Sequence, residues 1–267
     1  MRFLGLSLCA VLAFELLSCN GEGESINPTK VDYHSDGSMK LALWEYDSLR
    51  IRVEYDNHGR VIDSIPFIGD EIQGIRMVVN SDSDYVTYVA YERGQRMGLT
   101  QSFYSNGSPR SRGSCRNNQQ VGNWYFFTDD SVLTDYKAYD VHGELAYFRS
   151  YGNHANVVQR GGHGIVDVIF SSDSVRYGDE IFCLINVAVP PYSRPTVVAG
   201  GYSESQSVPT TMDTFPVSAS GEVSFRVKPS HAGYYRFAVE WSLTDSADGT
   251  IETDTIQWRL RVFDPIL

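Results

Sequence analysis

Residues 98–112 read GLTQSFYSNGSPRSR, and the fold of the first half of the chain turns on how this stretch is punctuated. Asn106-Gly107 is a strong hairpin dipeptide, because both positions of the tightest turns take positive φ and these residues tolerate it best. Phe103 stands four residues before that glycine, and Gly98 opens the stretch. The same marks recur at an interval of 24: Gly74, Gly98 and Gly122; Gly59, Ser83, Gly107 and Ser131; Tyr55, Val79, Phe103 and Phe127. Tyr33 with Gly37 and Tyr139 with Gly143 keep the spacing of four. A second turn falls inside each period, as at Gly69-Asp70, Arg93-Gly94 and Asn117-Asn118. Between turns, Ile51, Val53 and Tyr55 alternate with Arg50, Arg52 and Glu54, whereas Tyr85 to Tyr91 carries apolar or aromatic groups on both faces. The spacing predicts a meander of short antiparallel hairpins over residues 26–152, each packing on the next because a lone hairpin cannot bury its face.

The segments YHSDG (Tyr33 to Gly37), YDNHG (Tyr55 to Gly59) and YDVHG (Tyr139 to Gly143) resemble the MORN-type repeat and its bacterial variant, with residues 98–112 as the fullest copy. The resemblance implies a ribbon of hairpins with aromatic side chains stacked from repeat to repeat, used to bind or space other components.

Residues 153–164 have glycines and no periodicity, and read as a linker. Residues 165–267 have the length of one β-sandwich. Apolar alternations at Val223-Phe225-Val227, at Tyr235-Phe237-Val239-Trp241 and at Ile256-Trp258-Leu260-Val262 mark half-buried strands, the last with Gln257, Arg259 and Arg261 on its other face. The run HAGYYRF, His231 to Phe237, resembles the corner between strands E and F of an immunoglobulin-like domain, with Gly233 and Tyr235 in the corner positions. That likeness implies a tyrosine hydroxyl bonded back to nearby backbone. Phe237 stands where the second disulfide cysteine would be, and the first position falls to Cys183, so the likeness implies a lone buried thiol. The fold class expected is all-β: a meander of MORN-like β-hairpin repeats followed by an immunoglobulin-like β-sandwich.

The N-terminus, MRFLGLSLCAVLAFELLSC, has one early cation, an apolar run and a small-residue end, the plan of an export signal over residues 1–18. Leu16-Leu17-Ser18-Cys19 resembles the lipobox of bacterial lipoproteins. That resemblance implies lipidation of Cys19, a polar acidic tether over residues 19–25, and a chain anchored to the bacterial outer membrane on its periplasmic or surface face. The membrane is thus one partner expected, through lipid on Cys19.

With Lys+Arg 22 against Asp+Glu 33, the net charge of -11 excludes a basic nucleic-acid binder, so no nucleic-acid partner is expected. Aromatic content of 13% supplies self-sufficient cores. The sequence holds no G-x-S-x-G, P-loop, H-E-x-x-H, C-x-x-C or S-x-x-K motif, so it offers no enzyme signature and no cofactor is expected. His154, His163 and Asp167 match no metal-ligand spacing, and the acidic turns Asp82-Ser83-Asp84, Asp129-Asp130 and Asp245 to Gly249 follow no full calcium loop.

The ribbon is nonetheless rich in aromatics. Trp44, Tyr91, Tyr104, Trp124 and Tyr125 are the expected partner-binding aromatics, and together with Tyr136, Tyr147 and others they outnumber what one face needs. Some must be exposed or covered by a partner. The functional expectation is non-catalytic binding or assembly of a protein partner at the cell envelope. Two alternatives stand beside it: a carbohydrate-binding surface lipoprotein, and an immunity or antitoxin-like role suggested by the variant repeat.

Overall fold

The computed structural model describes residues 27–80, 84–152, 155–203, 212–229 and 232–264. The signal, Cys19 and the tether, together with Asp82, Ser83, His154 and His231, lie outside the described residues. The described residues are all-β, and no helix among them is long and apolar enough to cross a membrane. The chain divides into two compact units, Met1–Gln119 with Phe127–Val132, and Gln120–Phe126 with Leu133–Leu267.

The first unit is a meander. Strands β1 (Lys30–Tyr33), β2 (Met39–Tyr46), β3 (Leu49–Tyr55), β4 (Val61–Ile68), β6 (Gly74–Asn80), β7 (Tyr85–Glu92), β8 (Gln95–Tyr104) and β9 (Pro109–Arg116) pair in chain order, and the short β5 (Glu71–Ile72) pairs on β4. Most side chains of β6 and β7 are half-buried, as expected of a sheet with apolar groups on both faces.

Along one edge of this meander, four of the described turns are of a single kind. At His34–Ser38, Asp56–Arg60, Tyr104–Ser108 and Thr128–Val132 the first N–H donates to the fifth carbonyl, at 2.8 to 2.9 Å. The fourth residue donates back to the first carbonyl and sits at positive φ, 82° at Gly107. This is a three-residue loop closed by a bulge, and the strand register shifts at Tyr33, Tyr55 and Phe103. The aromatic four before each glycine therefore marks the bulge. Asn106-Gly107 accordingly does not form the two-residue turn its composition suggests, since positive φ falls on Gly107 and not on Asn106. The two-residue turns lie on the other edge, at Arg93-Gly94 (φ 50° and 76°) and Asn117-Asn118 (φ 50° and 70°).

Hydrogen bonds between successive turns on each edge account for the 24-residue interval. Ser105 N–H donates to Asp84 O at 3.2 Å and Asn106 Nδ2 to Asp129 O at 2.8 Å. Across the other edge, Arg93 N–H donates to Gln73 Oε1 at 2.9 Å and Arg96 N–H to Asn118 Oδ1 at 2.8 Å. Partners are 20 to 23 residues apart, close to one period.

The second unit begins with β10 (Gln119–Phe127), most of which belongs to it, then β11 (Leu133–Tyr139), β12 (Leu145–Tyr151) and β13 (Val157–Gly162), again paired in order. Two more sheets follow. One runs β14 (Ile165–Phe170), β16 (Ile181–Val187), β19 (Glu222–Val227); the other runs β15 (Ser174–Arg176), β21 (Ile251–Phe263), β20 (Gly233–Asp245), β17 (Ser193–Ser203), β18 (Asp213–Phe215). They face each other over a core that includes Cys183, Ile185, Val223, Val239 and Trp241, and Phe225 lies 5.4 Å from Phe237, ring to ring, between them.

Residues 153–164, expected as a linker, contain a strand instead. β13 pairs with β12 from Tyr147↔Gly162 to Tyr151↔Val157. Its glycines serve close approach rather than flexibility. A Cβ on Gly161 would meet the Phe148 ring at 2.8 Å, one on Gly162 would overlap Ala146 O, and one on Gly164 would overlap the Trp241 indole. The compact division of the chain accordingly falls near residue 120, not between 152 and 165.

Candidate functional site

The five aromatics expected to bind a partner are engaged within the fold and are not gathered on one face. Trp44, half-buried on β2, donates its indole N–H to Tyr55. Tyr91 on β7 bonds Arg76, whose guanidinium is held in two places by Asp63, at 3.0 and 2.6 Å; these bonds raise the Arg76 pKa against a smaller opposing effect of burial. Tyr104 donates its hydroxyl to Phe127 O at 2.9 Å. Trp124 is 4% exposed and stacks with Phe126, which removes it as a contact for another molecule. Tyr125 packs at 5.6 Å against Tyr136.

The surplus of aromatics has an intramolecular cover. Tyr136 and Tyr147, 0% and 2% exposed, form a chain of rings with Trp241 of β20, with centroids 6.3 and 5.8 Å apart. The Tyr136 hydroxyl donates to Asn123 Oδ1 at 2.5 Å and accepts from Val189 N–H at 2.7 Å. Burial above all pushes its pKa well up. Tyr151 donates to Pro191 O at 3.3 Å, so the proline-rich loop before β17 is tied inward.

At the centre of this region lies a buried ion cluster. Arg149, in phase with Tyr147 and Tyr151 on β12, is fully buried. Its Nη1 donates to Asp245 Oδ2 at 2.9 Å, its Nε to the Tyr147 hydroxyl at 2.8 Å, and its Nη2 to Glu252 Oε1. Burial opposes the charge, but Tyr147 and Glu252 more than offset it, and the Arg149 pKa is raised. Asp245, which stands in an acidic turn, is therefore committed to Arg149 and to Ala247 N–H rather than facing outward as a cation ligand would. His163 lies 3.8 Å from Asp254, not on Asp167, whose carboxylate is raised by burial and accepts from Val141 N–H at 3.4 Å. No group of three metal-ligating side chains occurs among the described residues.

Two concavities stand out. A depression of about 440 Å³ at the bulged edge of the meander is lined by Asp84, Tyr104, Ser105, Asn106, Thr128 and Asp129. The bonds between turns use the Asp84 and Asp129 carbonyls, and both carboxylates are exposed. The other, about 200 Å³, opens between the two facing sheets and is lined mainly by Phe170, Ile181, Val227, Phe237, Trp258 and Leu260. The depression offers a phenol ring beside hydroxyl, amide and carboxylate groups, the cavity little beyond apolar surface.

No family model and no curated protein sequence matches the chain. Among solved structures it is similar to the crystal structure of TarM, at 15% identity, TM-score 0.27, over 43% of this chain and 23% of that one. The structure of a mutant S. aureus TarM in complex with Fondaparinux, alpha-GlcNAc-glycerol and UDP gives 14% identity and TM-score 0.26, over 43% and 23%. The chain spans less than a quarter of the length of these structures.

Proposed function

We propose that this chain is a non-catalytic, carbohydrate-binding lipoprotein of the bacterial cell envelope, held by lipid on Cys19. In this reading its MORN-like ribbon is the recognition surface and an immunoglobulin-like domain lies behind it. The observation that carries the ligand class is the edge depression. A sugar presents an apolar ring face and a rim of hydroxyls, and Tyr104 flanked by Ser105, Asn106, Thr128, Asp84 and Asp129 matches both. The immunoglobulin-like assignment draws support from the strand order: β14-β16-β19 facing β15-β21-β20-β17-β18, with β15 parallel to β21, corresponds to A-B-E facing A′-G-F-C-C′. A glycan array tests the proposal. The wild type is expected to retain a defined set of glycans, and Asp84→Asn with Asp129→Asn, which keep the turns, to lose about tenfold or more in affinity. Absence of any glycan signal from a folded sample would overturn it. Binding of a protein partner is the second reading, favoured by the half-buried tyrosines on both faces of β7, Tyr85 and Tyr91 on one and Tyr88 on the other. Crosslinking in intact membranes would then recover a specific protein.

A further inference from the structure

Strand β21 sorts its charges by face. Glu252 and Asp254 turn toward the rest of the second unit, where they meet Arg149 and the Ile165 N–H, and Leu260 and Val262 enter the core. Residues of the other parity, Arg259, Arg261 and Phe263, are exposed. The register places Arg236 of β20 directly opposite Arg259, Tyr234 opposite Arg261, and Arg176 of β15 beside Phe263. The Arg259 guanidinium lies 4.4 Å from the centre of the Tyr234 ring and that of Arg261 4.6 Å from Phe263. Tyr234 and Phe263 are themselves 46% and 41% exposed. Four arginines and two open rings thus share one sheet face of a chain whose net charge is -11.

We propose that this face docks on an anionic phospholipid surface. Charge is the first argument, since each arginine held near such a surface strengthens attachment by about fivefold. The rings are the second, because aromatic side chains settle at the headgroup level, where one end is apolar and the other wet. Shape is the third: the outer side of paired strands meets a plane, whereas a chain-like polyanion is gripped by a groove. The inference goes beyond the edge depression and does not depend on acylation, because it concerns the second unit's own residues.

The test uses the full chain carrying Cys19→Ala, so that no acyl group contributes, and measures co-sedimentation with vesicles. The expected result is binding to phosphatidylcholine mixed with phosphatidylglycerol, none to phosphatidylcholine alone, and loss at high salt. Arg259→Gln with Arg261→Gln should weaken partitioning about thirtyfold, while Arg259→Lys with Arg261→Lys should largely retain it. Arg226→Gln, exposed on β19, should change nothing, and circular dichroism checks that each variant is folded. Equal binding to neutral vesicles, no binding at all, or indifference of folded variants to the arginine substitutions would overturn the proposal. So would arginine-dependent capture by a soluble sulfated polysaccharide without vesicle binding. None of these outcomes bears on lipidation of Cys19, which metabolic labelling reads separately.

Discussion

Arg149 shows how far a single side chain can depart from its usual place. Its two carboxylate partners and the Tyr147 hydroxyl satisfy a charge with no exposed surface. Removing it strands Asp245 in a buried site, whereas Glu252 keeps Arg160 at 3.1 Å and the Tyr147 hydroxyl, so Arg149→Met should cost about 3 kcal/mol in urea unfolding. Adding Asp245→Asn and Glu252→Gln to the same variant should restore part of that loss. Ser131 departs in the other direction. It occupies the glycine position of the bulged turn at φ 66°, a conformation that strains a side chain. Ser131→Gly is therefore expected to raise stability by about 1 kcal/mol, read as a higher denaturation midpoint. Burial pushes the Tyr151 hydroxyl up to about 12 from 10.0, and the Cys183 thiol up to about 12 from 9.0. Both groups hold their protons more tightly folded than unfolded. Their contribution is intact below the unfolded values and disappears as the pH climbs toward the folded ones. Unfolding followed by fluorescence should therefore set in between about pH 9 and 12, together with phenolate absorbance.

The turns carry their chemistry openly at the scale of the element. An aromatic, three residues and a glycine suffice to mark a bulged loop, and this is why the 24-residue interval is visible before any coordinates. The same local signs mislead where tertiary contact decides. Gly161, Gly162 and Gly164 look like a flexible joint, yet each is a glycine because a ring or a carbonyl occupies the place of its Cβ. Arg149 looks like the polar face of a strand, and only its phase with Tyr147 and Tyr151 hints at burial. The edge depression is legible only as turn residues, since it forms from loops one period apart. Those loops can be tested. Asn106 accepts from Ser108 N–H at 2.9 Å and donates to Asp129 O at 2.8 Å, closing its own turn and binding the next. Asn106→Ala should cost about 1–2 kcal/mol, with amide exchange speeding at Ser108 and along the neighbouring turn rather than across the whole chain.

For the molecule as a whole, the consequential question is where the chain can be divided. A break between 152 and 165 would leave Trp241 without Tyr147, Asp245 and Glu252 without Arg149, and the Val189 N–H without the Tyr136 hydroxyl. Each lost ring buries well over one hundred Å² in most proteins, and each orphaned polar group costs about 1–3 kcal/mol. Together these losses exceed the margin on which a domain of one hundred residues stands. Residues 165–267 expressed alone should accordingly be aggregation-prone or melt far below a fragment of residues 120–267, which keeps every one of these contacts. Gly164→Ala in the full chain asks the same question without cutting it, because the added methyl group can be housed only by moving the Trp241 indole. If the Trp241 cluster joins the hairpins β10 to β13 to the two facing sheets, this variant should lower the melting temperature of both together in one transition. Equal stability of the two fragments, or a lowered transition confined to residues 165–267 in hydrogen exchange, would show instead that the hairpins and the sheets fold independently.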